Sequence, residues 1–126
     1  MEPVTVLVIE EGAEATLVCA ALARQPEVRV LDAPDVGGAL TRLKTEVTPV
    51  AFAIMGPATL AKCTGKWVKT LETRGIPVVG IALGLPPADR QRALAAGVRE
   101  IHDRPAEWKP YSELIDSLLA RFTPPS

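Results

Sequence analysis

The 126-residue sequence contains little cysteine, little histidine and few aromatic side chains. Its two cysteines, Cys19 and Cys63, form no Cys-x-x-Cys pair, and its one histidine, His102, completes no familiar metal-ligand spacing with them. These absences exclude a structural zinc site. Aromatic residues make up only 4% of the chain, so the core must be built from Val, Leu, Ile and Ala.

The sequence also lacks an excess of charge and a long hydrophobic run. Fourteen Lys and Arg against fifteen Asp and Glu give a net charge of −1 without any block of like charge, which disfavours a nucleic-acid-binding surface. The first apolar run, Val4–Ile9, is too short to cross a membrane and lacks the flanking features of a signal peptide. We therefore expect a cytoplasmic protein with reduced thiols that binds neither nucleic acid nor membrane.

What is present is the composition of one folded domain, with 48% hydrophobic and 23% charged residues. The domain is predicted over residues 1–122, and residues 123–126 are interpreted as a frayed C-terminus or the start of a linker. Apolar runs of strand length alternate with stretches of helical period, which predicts parallel strands joined by crossover helices. The predicted strands are residues 4–9, 28–31, 50–55, 77–83 and 98–102.

A helix is predicted after each strand. Asp35 suits the N-cap of the second helix, Gly97 suits the end of the fourth, and Trp108 is placed just before the last. The predicted helices are residues 12–24, a segment after 35, a segment from 65 to before 75, residues 86–96 and a segment from 111 to 122. This pattern predicts an α/β fold, a flavodoxin-like doubly wound five-stranded parallel sheet of strand order 2-1-3-4-5. Its ligand crevice would lie at the carboxyl ends of the strands.

Residues near those carboxyl ends carry a family resemblance. Glu10 and Glu11 form an acidic pair after the first strand, and Pro77 opens the fourth strand. The most specific segment is residues 93–105, Ala-Leu-Ala-Ala-Gly-Val-Arg-Glu-Ile-His-Asp-Arg-Pro. It is similar to a segment that ends in a Lys-Pro pair in receiver domains. Over residues 4–122 the sequence resembles the receiver domain of two-component response regulators.

The resemblance also shows which receiver residues are missing. Receivers carry a phosphoacceptor carboxylate after the third strand, a Ser or Thr after the fourth and a Lys after the fifth. Here the phosphoacceptor position falls on Met55 when counted from the acidic pair, or on Ala53 when counted from Pro57. The Ser or Thr position falls on Ala82 and the Lys position on Arg104. The resemblance therefore implies a degenerate phosphorylation pocket, as in a pseudo-receiver.

The acidic pair of this pocket lacks a third carboxylate and a phosphoryl group to share a cation. The resemblance therefore implies no bound Mg²⁺ or other metal. Because adjacent carboxylates repel and a guanidinium satisfies either one, we expect Arg104 to pair with Glu10 or Glu11. Vestigial metal ligands and a plain polar loop remain alternative interpretations of the two glutamates.

We expect no enzyme, no catalytic residue and no cofactor. The favoured function is a phosphorylation-independent protein-interaction module in bacterial signal transduction. The partner would be a signalling or effector protein, or a domain of the same full-length chain, and a homodimer stays open. The alternative is a small-ligand sensor that uses the crevice above the first, third and fifth strands.

The resemblance places the partner surface on residues 89–96, 98–102 and 110–122. Its candidate anchors belong to residue types that concentrate interface energy. They are Arg90, Arg92, Arg99, Trp108 and Tyr111.

A second candidate surface is the basic stretch of Lys62, Lys66 and Lys69 near the third predicted helix. It suits either an acidic partner or a solvated helix face.

Overall fold

The computed structural model describes residues 3–123 and contains one sheet of five parallel strands. The strand order is β2-β1-β3-β4-β5, which confirms the predicted 2-1-3-4-5 arrangement. The strands are β1 (Val4–Ile9), β2 (Val28–Ala33), β3 (Val50–Met55), β4 (Val78–Ala82) and β5 (Glu100–Asp103). The predicted ends of β1 and β3 are confirmed to the residue, whereas β5 begins later than predicted.

Within residues 3–123, six helices connect and flank the strands. They are α1 (Gly12–Ala23), α2 (Val36–Thr45), α3 (Pro57–Ala61), α4 (Gly65–Thr73), α5 (Pro87–Ala96) and α6 (Trp108–Phe122). Helix α3 was not predicted, because five residues are too few to show a helical repeat of apolar positions. Trp108 is the first residue of α6, so its predicted place before the helix is wrong.

The sheet has a separate apolar core on each face. Val36, Leu60, Val68 and Ala93 bring α2, α3, α4 and α5 to one face. On the other face, α1 and α6 pack through a second set of buried side chains that includes Tyr111. Helices α4 and α6 therefore lie on opposite sides of the sheet.

Residues at the helix ends explain where α2 begins and where α5 stops. The Asp35 carboxylate accepts a 2.7 Å hydrogen bond from the backbone N–H of Gly38, which confirms the predicted cap of α2. Gly97 ends α5 with a φ of +115°, a left-handed conformation that favours glycine. None of the helices formed by residues 3–123 is both long enough and apolar enough to cross a membrane.

The three inner strands contain no charged residue, whereas both edge strands do. In β2, Arg29 pairs with Glu46 at 2.5 Å and Asp32 lies 3.9 Å from Arg42. In β5, Asp103 pairs with Arg90, and Glu100 pairs with both His102 and Arg121.

Candidate functional site

The carboxyl edge of the sheet is closed by a buried glutamate. Glu10 follows β1 and is 5% exposed, and its carboxylate accepts hydrogen bonds from the Thr59 backbone N–H at 3.0 Å and the Thr59 hydroxyl at 2.9 Å. That hydroxyl also lies 2.8 Å from the carbonyl oxygen of Ile9, and its one hydrogen serves a single acceptor at a time. Because Thr59 lies in the first turn of α3, Glu10 ties that helix to the end of β1.

Gly56 leaves the room that this glutamate needs. A Cβ at position 56 would lie 2.4 Å from Cγ and 2.7 Å from Cδ of Glu10. Any larger residue would therefore force the Glu10 side chain to shift. Gly56 follows β3 as the sequence predicts, but the contact of Thr59 with Glu10 was not predicted, although Pro57 at the first position of α3 was a signal of a helix start.

Arg104 pairs with neither of the expected glutamates. Its Nε lies 3.3 Å from Oε1 of Glu14, and none of the ion pairs among residues 3–123 joins it to Glu10 or Glu11. The predicted pairing is wrong because the Glu10 carboxylate is turned onto α3, while Glu14 projects from the first turn of α1. Arg104 Nε is buried and has no hydrogen-bond partner, so the contact with Glu14 is an ion pair without hydrogen-bond alignment.

The other positions that the sequence predicts for the pocket are apolar and fully buried. Met55 is the last residue of β3, and Ala53 lies two residues earlier on the same face of the sheet. Ala82 is the last residue of β4 and faces the same core. All three are 0% exposed, and none carries an oxygen that a phosphoryl group would need as a nucleophile or hydrogen-bond donor.

Only a small cavity lies beside Glu11, which is exposed. Its volume is about 30 Å³, which admits water but is much smaller than an ordinary ligand pocket. The lining residues are Glu11, Pro34, Asp35, Val36, Ala58, Thr59, Lys62 and Trp67.

Neither a metal centre nor a reactive thiol is assembled by residues 3–123. No three His, Cys, Asp or Glu side chains converge there as a set of metal ligands. Burial raises the pKa of the Cys19 thiol, and the nearby Asp32 carboxylate adds to this effect. Burial also raises the pKa of Cys63, against a smaller opposite influence of Arg92. Both thiols are therefore held in the protonated, weakly nucleophilic form.

The predicted partner surface does not form one face. Arg90 donates to the carbonyl of Ile101 at 3.0 Å and pairs with Asp103 at 2.6 Å, so it lies against β5 as expected. Arg92 instead donates to the carbonyl of Ala61 in α3. The guanidinium of Arg99 makes two hydrogen bonds to the carboxylate of Glu72 in α4. Arg92 and Arg99 are therefore engaged on the α3–α4 side.

The two aromatic anchors lie on the α1 side of α6. Trp108 is 46% exposed and stacks on Tyr111, with ring centroids 6.1 Å apart and planes 19° apart. The Arg24 guanidinium lies 5.9 Å from the Trp108 ring centroid and pairs with Asp116 at 2.8 Å. Because Arg24 ends α1, Trp108 belongs to the α1–α6 side and not to the face shared with α5. That expected position was wrong.

Tyr111 is a core residue and not a surface anchor. It is 1% exposed, and its buried hydroxyl has no hydrogen-bond partner. Burial raises the pKa of the phenol far above its usual value, and the Glu14 carboxylate adds to the effect. Tyr111 therefore stays protonated. Its ring packs between the core and the ring of Trp108.

His102 has an acidic neighbour that the sequence did not reveal. Its Nε2 lies 2.6 Å from Oε1 of Glu100, which also accepts hydrogen bonds from Arg121. The Arg121 guanidinium holds the pKa of Glu100 at about 2, so this carboxylate is ionised throughout the physiological range.

Comparison with known proteins yields similarity in structure alone. No protein-family model matches the chain, and no curated protein sequence matches it. A response regulator in red light signaling of R. palustris has a TM-score of 0.76 and 18% identity, covering 98% of this chain and 99% of that chain. A response regulator from Hahella chejuensis has a TM-score of 0.74 and 13% identity, covering 95% of each chain.

The phosphorylated cyanobacterial phytochrome response regulator RcpA gives a TM-score of 0.72 at 16% identity, covering 95% of this chain and 94% of that chain. These matches extend over almost the whole of each chain, and the strand order agrees with the arrangement predicted from the sequence. The chain has the fold of a response regulator receiver domain.

Proposed function

We propose that this domain is a non-catalytic, phosphorylation-independent module that binds proteins in bacterial signal transduction and works in the cytoplasm. The observation that carries the proposal is the engagement of Glu10 by Thr59. In a phosphorylated receiver the acidic pair is needed for Mg²⁺, which requires oxygen ligands free to coordinate. Here the Glu10 carboxylate is bonded to Thr59 and holds α3 in position instead.

Three further features support this proposal. Met55 and Ala53 supply no carboxylate to accept a phosphoryl group, and Ala82 supplies no hydroxyl to bond one. Arg104, at the position of the receiver lysine, is drawn away to Glu14. The chain keeps the fold and lacks the groups that make the receiver responsive to phosphorylation.

A small-ligand sensor that uses the crevice at the carboxyl ends of β1, β3 and β5 is supported less well. Ligand pockets usually have volumes of about 300 to 1,000 Å³. The cavity beside Glu11 has about 30 Å³, and the space above β1 and β3 is taken by Glu10, Thr59 and Gly56. The crevice that would hold a metabolite is thus filled by the protein's own side chains.

Incubation with acetyl phosphate and Mg²⁺ is expected to leave the intact mass unchanged, because no carboxylate stands at the end of β3. Intact-mass spectrometry measures the outcome, and a receiver that carries an aspartate at this position serves as the positive control in the same buffer. A labile gain of one phosphoryl group that fragmentation localises to residues 50–59 would overturn the proposal.

We further propose Trp108 as an anchor for a partner protein on the α1–α6 side. Arg24 and Tyr111 fix the indole in place, so little side-chain entropy remains to be lost when a partner covers its exposed part. Tryptophan and arginine together are common at the centres of interfaces.

Substitution Trp108→Ala is expected to lower the free energy of unfolding by only about 1 to 2 kcal/mol, because Trp108 is 46% exposed and its stack on Tyr111 contributes about 1 kcal/mol. Urea denaturation followed by circular dichroism measures the change. A loss as large as that of a buried aromatic residue would place Trp108 in the core and remove it as an anchor.

A further inference from the structure

Positive charge is concentrated around α4. Residues 57–74 contain four basic residues and one acidic residue, whereas the rest of the chain contains ten basic and fourteen acidic residues. The acidic one, Glu72, is bonded to Arg99. This part of the surface is therefore positive on a domain that is otherwise negative.

Arginines and lysines have different roles in this chain. Eight of the nine arginines take part in ion pairs among residues 3–123, and none of the five lysines does. Of these lysines, Lys44 and Lys109 are isolated in sequence, while Lys62, Lys66 and Lys69 are clustered. We call this cluster of three the basic surface.

The basic surface points outward. All three lysines are exposed, and Lys66 and Lys69 occupy the side of α4 opposite the buried Val68 and Leu71. At a rise of about 1.5 Å per residue, Lys66 and Lys69 are separated by about 4.5 Å along the helix axis. Carboxylates three or four residues apart on another helix have the same spacing.

A mainly apolar notch borders the basic surface. The cavity of about 30 Å³ is lined by Lys62, the half-buried Trp67 and the apolar residues Pro34, Val36 and Ala58, and the polar residues Glu11, Asp35 and Thr59 complete its wall. Its size suits the tip of a small apolar side chain. An aromatic side chain inside a polar rim is common at protein interfaces.

We propose that the basic surface docks an acidic helical segment of a partner protein, with carboxylates on Lys62, Lys66 and Lys69 and a small apolar side chain in the notch beside Trp67. This inference rests on the proposed function, because it names the kind of partner that such a module binds. A nucleic acid fits less well, since three cations neutralise few phosphates and the remainder of the chain is net negative.

The test uses a fluorescein-labelled helical peptide of alanine with glutamate at every fourth position, with a lysine-for-glutamate peptide as the probe control. Fluorescence anisotropy is expected to show binding of the acidic peptide that weakens with added salt. The charge-reversed variant Lys66→Glu/Lys69→Glu is expected to bind at least about tenfold more weakly. The matched variant Lys44→Glu/Lys109→Glu changes the net charge equally and is expected to bind as the unaltered protein does.

Equal losses in the two double variants would overturn the proposal, because net charge would then explain binding. Tighter binding of single-stranded oligothymidine than of the peptide, lost with Lys66→Glu/Lys69→Glu, would also overturn it in favour of nucleic acid. In a Trp108→Phe background Trp67 is the only tryptophan, and a shift in its emission is expected when the peptide binds. Bound peptide without that shift would contradict contact at the notch.

The experiment distinguishes failure of the docking proposal from failure of the proposed function. Peptide binding is measured with and without acetyl phosphate and Mg²⁺. Phosphorylation of the domain would refute the proposed function while binding could still locate the docking surface. Loss of specific peptide binding in an unphosphorylated domain would refute the docking surface alone.

Discussion

Substitution Tyr111→Ala is expected to lower the free energy of unfolding by about 4 kcal/mol. Tyr111 is 1% exposed, is among the largest fully buried side chains and packs with Ile115 and Leu118 against the sheet. Its removal leaves a cavity between α1 and α6 and withdraws the support under Trp108. Urea denaturation monitored by circular dichroism gives the value.

Substitution Tyr111→Phe is the matched control. The Tyr111 hydroxyl is buried without a hydrogen-bond partner, so its removal relieves a desolvation penalty and keeps the ring. We expect Tyr111→Phe to be at least as stable as the unaltered protein. A phenylalanine variant that loses as much stability as the alanine variant would show that the hydroxyl, and not the ring, holds the helices.

Substitution Gly56→Ala is expected to cost about 2 to 3 kcal/mol of unfolding free energy. The new Cβ would lie 2.4 Å from Cγ of Glu10 and expel the carboxylate from both hydrogen bonds with Thr59. Hydrogen bonds to a buried charged group are worth more than neutral ones, and Thr59 would keep a buried N–H without a partner. The backbone at position 56 has a φ of −89°, which alanine adopts without strain.

A double-mutant cycle isolates this effect. In a Glu10→Ala background the clash is gone, so Gly56→Ala is expected to change stability by less than about 0.5 kcal/mol, which corresponds to a coupling of about 2 kcal/mol between the two positions. Full additivity of the two substitutions would show that Glu10 does not need the space over Gly56, and the account of the closed carboxyl edge would fail.

The sheet could be predicted from the sequence because its central strands are runs of uncharged, mostly apolar residues. The runs Val4–Ile9 and Val50–Met55 contain no charged residue, as expected where helices cover both faces of a parallel strand. The edge strand β5 gave a weaker signal. It is four residues long and carries Glu100 and Asp103, so its beginning was misplaced.

The contacts of the site could not be predicted because they join distant segments. Glu10 and Thr59 are 49 residues apart, and Thr59 lies on a helix too short to show a helical repeat of apolar residues. Glu10 and Glu11 were the expected partners of Arg104, whereas the observed ion pair joins Arg104 to Glu14. The low aromatic content of the sequence singled out Trp108. The side of α6 on which its ring lies is set by contacts with Arg24 and Tyr111, which the sequence does not reveal.

The charged residues of the edge strands set how this sheet can meet other chains. An incoming strand that paired with β2 or β5 would lie beside the charged side chains of Arg29 and Glu46 or of Asp103 and Arg90. Natural sheets use charges in this way to resist edge-to-edge aggregation. Association through lateral strand addition is therefore disfavoured at both edges of the sheet. Helix surfaces and loops remain as the parts of the domain through which a second molecule can be held reversibly.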